Sequence, residues 1–210
     1  MSRSTAFDPS SKHRSDKAEA ILMGALQVFM ADGYAAASMN RIASAAGVSK
    51  PTLYSYFQDK EGLFVALIQK LTQRSSSILF SLPTTPEAQA EPKQMLRQMA
   101  TSVLEEFSGN QPLLTLMRLI IGESERFPHL AETFVRDIQK PLLERLTAYL
   151  ASQPQLNLPD PMVAARIFAG SLVHYLIVQN IMNGSDIVPL ERDRMVDGLV
   201  HMVTAGGEGG

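Results

Sequence analysis

The sequence predicts an all-α fold of about nine helices. Apolar residues recur at i, i+3, i+4 and i+7 through most of the chain, the period of one helix face. Val, Ile and Thr do not alternate with polar residues for long, and no Asn-Gly or Asp-Gly pair sits between alternating apolar runs. Capping and breaking residues fall at the ends of the periodic stretches.

The first helix is expected over about Arg14–Ala31, with Ala18, Ile21, Leu22, Ala25 and Phe29 on one face. Gly33 ends it, and Gly24 inside it points to close packing. Ser38 caps a second helix, about Met39–Ala46, which Gly47 breaks. Ser49 caps a third, to about Phe57, with Pro51 in the first turn, where a missing N–H costs nothing. Asp59 caps a fourth, about Lys60–Phe80, before the break Leu82–Pro86. Later helices fall near 87–107, 112–126, 128–152, 160–183 and 190–203, and Pro141 should kink or split the seventh. The expected organisation is a flexible arm (1–13), a helix-turn-helix domain (14–60), a helical ligand-binding and dimerisation domain (61–204) and a disordered tail (205–210).

Composition narrows the function classes. Apolar residues make up 45% of 210, enough for a buried core, and there is no cysteine. That excludes disulfides, thiolate metal sites and a cysteine nucleophile. Residues 1–60 carry seven Lys and Arg against five Asp and Glu, whereas the remainder carries twelve against sixteen. A mildly basic front on an acidic body fits a module that meets nucleic acid. The start of the chain shows no apolar signal segment, so a cytoplasmic protein is expected. Residues 162–182 are apolar enough to raise a membrane span, but they contain Arg166, His174, Gln179 and Asn180; a buried helix is the better reading, and no membrane partner is expected.

The most informative stretch is Ser38–Lys60. Two short helices join through a tight turn at Gly47, as in a DNA-binding helix-turn-helix. Ile42, Ala43, Ala46, Val48, Leu53 and Phe57 can share one small core with the first helix. With Leu53 and Phe57 on the core side, Ser49, Lys50, Thr52, Tyr54, Ser55 and Tyr56 are left outside. That face carries hydroxyls, rings and a cation but no acid, so it can approach phosphates and offer groups to base edges.

The run Ile42-Ala43-x-x-Ala46-Gly47-Val48-Ser49-x-x-Thr52-Leu53-Tyr54-x-Tyr56-Phe57-x-x-Lys60-Glu61-x-Leu63, with Ala25-Leu26-x-x-Phe29-x-x-x-Gly33-Tyr34 before it, closely resembles the N-terminal domain of TetR/AcrR-type transcription regulators. The resemblance implies that the third helix enters the major groove of double-stranded operator DNA. Lys50, Pro51, Thr52 and Tyr54 match positions near bases or adjoining phosphates, and Tyr56 and Lys60 match phosphate contacts. Ser38 matches a cap that can touch phosphate, and Arg41 is a candidate contact from the second helix. Arg3, Lys12 and Arg14 form a candidate minor-groove arm, as in some relatives. Lys50 stands where many members carry a small residue, so sequence preference does not carry over.

The segment Leu114–Leu130 resembles the body of the AefR-like subgroup. The resemblance implies a ligand-released repressor that binds a palindromic operator as a homodimer, through its last two helices. Ala165, Ala169, Leu172 and Leu176 on the eighth helix, with Met195, Leu199 and Met202 on the ninth, are the candidate interface. Candidate contacts for an unknown small-molecule effector are Leu113, Met117, Ile121, Phe134, Phe168 and Tyr175, with Arg118 or His174 as polar anchors. The same residues also suit an ordinary core. No catalytic motif is found, the four histidines are scattered, and neither catalysis nor a cofactor or metal is expected.

Overall fold

The computed structural model describes residues 9–73, 77 and 91–205, and among these every regular element is helical. Helix α1 spans Pro9–Ala36, α2 Met39–Ala45, α3 Lys50–Tyr56 and α4 Lys60–Leu71. Then come α5 (Pro92–Ser108), α6 (Gln111–Glu123), α7 (Pro128–Phe134), α8 (Lys140–Ala151), α9 (Pro161–Leu176) and α10 (Arg192–Thr204). The expected break at Leu82–Pro86 and the tail beyond Ala205 lie outside the described residues.

The local signals act where the sequence places them. Ser38 Oγ accepts from Arg41 N–H at 3.3 Å, Ser49 Oγ from Thr52 N–H at 3.2 Å, and Asp59 Oδ1 from Gly62 N–H at 2.7 Å. Each cap satisfies a backbone donor that the helix leaves without a partner. Gly47 turns the chain with φ 65°, and Gly33 leaves helical geometry at φ 73°, both conformations that a side chain resists. A Cβ on Gly24 would come within 2.7 Å of Ala46 N, so the crossing of α1 and α2 requires glycine there.

Two differences stand out. α1 begins at Pro9, so the stretch expected as a flexible arm is already helical over its last residues; proline at a first helical position loses nothing and pre-sets φ. The expected kink at Pro141 takes the form of a π turn, Val135–Gln139, joining α7 to α8. Pro141 has no N–H for the Asp137 carbonyl, which instead accepts a long 3.5 Å contact from Gln69 Nε2 on α4.

Two apolar clusters organise the molecule. The first joins Ile21, Phe29, Ile42 and Leu53 of the three N-terminal helices to Leu63, Phe64 and Leu67 of α4, Leu113 and Leu116 of α6, and Leu130 of α7. The second joins Leu96 and Leu104 of α5, Tyr149 of α8, Phe168 and Leu172 of α9, and Val196 and Val200 of α10. Phe107 and Leu142 pack against both. The first cluster joins residues on both sides of Lys60, the expected domain boundary. Residues 161–181, α9 plus a π turn over Ile177–Ile181, are apolar enough to cross a membrane by length and composition, yet only 33% of the most apolar window is buried in the chain.

Candidate nucleic-acid interface

Helix α3 has seven residues, and Leu53 alone is fully buried, anchoring the helix in the first core. Of the face expected to point outward, Ser49, Lys50, Tyr54 and Ser55 are exposed, as is Pro51, whereas Thr52 and Tyr56 are half-buried and Tyr56 packs against the first core. Ser49 and Thr52 hydroxyls lie 2.7 Å apart, and Ser55 Oγ donates to the Thr52 carbonyl at 2.7 Å. Lys50 Nζ sits 5.9 Å from the Tyr54 ring centre, and the Arg14 guanidinium 5.8 Å from that of Tyr56. Ser38 is exposed at the start of α2, which it caps. Arg3 and the side chain of Lys12 lie outside the described residues.

Two expected contacts are placed otherwise. Arg41 is held back by Asp32 of α1, with Nη1 2.8 Å from the carboxylate, although its side chain stays 59% exposed. Lys60 turns inward. Its Nζ donates to the Tyr34 carbonyl at 2.8 Å and the Ala37 carbonyl at 3.0 Å, and lies 4.3 Å from the Tyr34 ring centre and 5.7 Å from that of Phe127. Burial lowers its pKa, and the carboxylates of Glu61 and Glu123 oppose that shift. The chain leaving α1 offers two carbonyls with no helical partner, and the ammonium at the start of α4 satisfies both. Expected as an outward phosphate contact, Lys60 instead ties α1, α4 and the turn before α7 together. Phe29, Tyr34, Phe64 and Phe127 complete that junction with ring centres 5.0–5.8 Å apart.

The expected effector contacts do not converge. Leu113 is buried in the first core, with Met117 and Phe134 packed on it, while Phe168 and Tyr175 belong to the second. Ile121 is 56% exposed, and His174 is exposed as well. Arg118 donates to the Asn180 and Ile181 carbonyls at 2.9 and 3.1 Å, closing the end of the helix formed by α9 and its π turn. Tyr175 Oη donates to the Leu190 carbonyl at 3.2 Å. An open cleft of about 250 Å³ between α1 and α2 is lined by none of these residues.

The expected interface set is divided between buried and exposed positions. Ala165, Leu172, Leu176 and Leu199 are buried in their own chain's second core, and Ala169 and Met195 are half-buried. Met202 is 70% exposed. The outward side of α9 instead carries Met162, Val163, Ile167 and Val173, all about half exposed. The exposure of these four is not legible in the sequence, because α9 is apolar on both sides. The signal available was Arg166 and His174, the polar residues that share the outer face.

Comparison with known proteins places this geometry. The model for bacterial regulatory proteins of the tetR family matches residues 21–67, and that for the C-terminal domain of AefR-like transcriptional repressors matches residues 94–206. The transcriptional activator FasR of Mycolicibacterium smegmatis is 44% identical over 57 residues, 27% of this chain and 26% of that one. The repressor Rv1474c of Mycobacterium tuberculosis is 33% identical over 69 residues, 33% of this chain and 37% of that one. The aligned part thus spans about a quarter to a third of these curated relatives. Among solved structures, a regulator from Mesorhizobium loti is 26% identical with a TM-score of 0.70, covering 91% of this chain and 96% of its own. The flavonoid-responsive regulator FrrA is 31% identical with a TM-score of 0.67, covering 90% and 95%. The chain belongs to the TetR family of bacterial regulatory proteins, with an AefR-like C-terminal domain.

Proposed function

We propose that the chain is a cytoplasmic, DNA-binding repressor of transcription that acts as a homodimer on a palindromic duplex site and is released by a small ligand. One observation carries the reading: α3 presents an acid-free row of hydroxyls, rings and a cation, fixed by Leu53 beneath and a capped start. Such a face fits the major groove, where Lys50, Thr52, Tyr54 and Ser55 reach base edges and Ser38, Ser49, Pro51 and Tyr56 lie toward the backbone. The outer sides of α9 and α10 supply the two-fold. Met162, Ile167, Val173 and Met202 are bare in the single chain, and a second copy covers them. The two recognition helices then stand about 34–36 Å apart, one duplex turn, or at a somewhat wider spacing.

Release requires a ligand with greater affinity for a dimer whose α3 helices no longer match that spacing. The junction of Lys60, Tyr34 and Phe127 supports this coupling, because it joins the first three helices to the body by direct contact. The test is selection of bound duplexes from random DNA, followed by release with candidate metabolites. Enrichment of an inverted repeat is the expected result. Indifference to every duplex in dilute salt would overturn the reading.

A further inference from the structure

Because α1 is helical from Pro9, Arg14 stands in its second turn, on a rigid element and not on a loose arm. Tyr56, the last residue of α3, is half-buried against the first core, so its ring is held as well. The Arg14 guanidinium lies over that ring, 5.8 Å from its centre. Among the described residues no carboxylate is paired with Arg14, whereas Arg41 has Asp32 and Lys70 has Glu19. Asp16, two positions on, points to another side of the helix, and Lys17, three positions on, shares Arg14's side.

We propose that Arg14 and Tyr56 together clamp one backbone phosphate of the duplex, at the edge of the groove next to the C-terminal end of α3. A guanidinium offers two parallel N–H donors to a phosphate, and the phenol can add a third. The ring face holds the guanidinium before DNA arrives, which reduces the side-chain freedom lost on binding. The clamp rests on the reading of α3 as the groove helix and assigns its far end a role of its own. The pair at the near end differs. Lys50 and Tyr54 both lie exposed on α3 itself, where contacts can depend on sequence. Arg14 sits on α1, and a phosphate carries no sequence information.

The experiment measures affinity for the selected duplex and for an unrelated one across a salt series, with wild type, Arg14→Ala and Tyr56→Phe. Circular dichroism verifies the fold; Arg14 is exposed, so its loss should leave the core intact. Arg14→Ala is expected to lower the slope of log K against log salt by about one and to weaken both duplexes alike, by about eightfold at 0.1 M salt relative to 1 M. Tyr56→Phe should weaken both duplexes without changing the slope. An unchanged slope and affinity for Arg14→Ala, with wild type still binding, overturns the clamp and leaves the groove reading standing. A loss confined to one sequence also overturns it, because Arg14 would then read bases. Failure of wild type to bind either duplex sinks the groove reading itself.

Discussion

The two cores end at different kinds of surface. Over the first, α3 exposes Pro51 together with Lys50, Tyr54 and Ser55, each of which ends in a polar group that water can solvate. Over the second, α9 and α10 expose Met162, Val163, Ile167, Val173 and Met202. Both surfaces lie on helices whose opposite sides are anchored in a core, α3 by Leu53 and α9 by Phe168 and Leu172. The polar face can be wet or covered at little cost, which suits a partner that comes and goes. The apolar face gains about 25 cal/mol for each Å² removed from water, which suits a partner that stays. Under the proposed function, one chain carries a reversible surface and a permanent one, each on its own core.

The largest expected effect tests the permanent surface. Ile167 is 51% exposed, so Ile167→Glu should leave the folded chain intact. In the proposed dimer, the two-fold axis would bring in two such carboxylates, and an unpaired charge at a buried interface costs about 3 kcal/mol or more. The dimer dissociation constant should rise at least about a hundredfold, read by sedimentation across a concentration series. If wild type and variant sediment alike, something other than a second copy covers α9.

The contrast also explains what sequence could show. Ser49, Pro51, Leu53 and the acid-free face of α3 all lie within one short stretch, where caps and spacing fix which side is buried. Which side is buried and which is exposed can therefore be read there directly. On α9, the inward Leu172 and the outward Ile167 belong to the same chemical class, so the period reports a helix without saying which side is covered. The expected effector contacts are not brought together, for a related reason. Leu113 and Met117 of α6 belong to the first core and Phe168 and Tyr175 of α9 to the second, a division set by tertiary arrangement. Lys60 was legible as a position but not as a direction, because its partners lie 26 and 23 residues earlier in the chain.

Lys60→Met sharpens the comparison where the reversible surface meets the body. The variant keeps an apolar stem and removes the donor shared by two carbonyls, those of the buried residues Tyr34 and Ala37. Leaving such groups unsatisfied costs about 1–3 kcal/mol. The urea midpoint should fall accordingly, while the salt dependence of DNA binding stays as in wild type. The reverse outcome, an unchanged midpoint with a slope reduced by about one, would mean that the ammonium swings out to phosphate after all.

The smallest expected effect probes how dry the second core is. Tyr149 is 1% exposed, and its hydroxyl has no hydrogen-bond partner among the described residues. Burial pushes its pKa up from 10.0 to about 12. The folded state therefore keeps a proton that the unfolded chain releases near pH 10. The stability this provides is fully present below that point and is lost as pH rises from about 10 through about 12. Tyr149→Phe removes the unpaired hydroxyl, so at pH 7 stability should hold steady or rise by up to about 1 kcal/mol. Between pH 10 and 12 its urea midpoint should fall less steeply than that of wild type. Some decline will persist, because burial also raises the pKa of Tyr34 and Tyr175. Identical alkaline curves would mean that water reaches Tyr149, and that the second core, unlike the first, is open from its uncovered side.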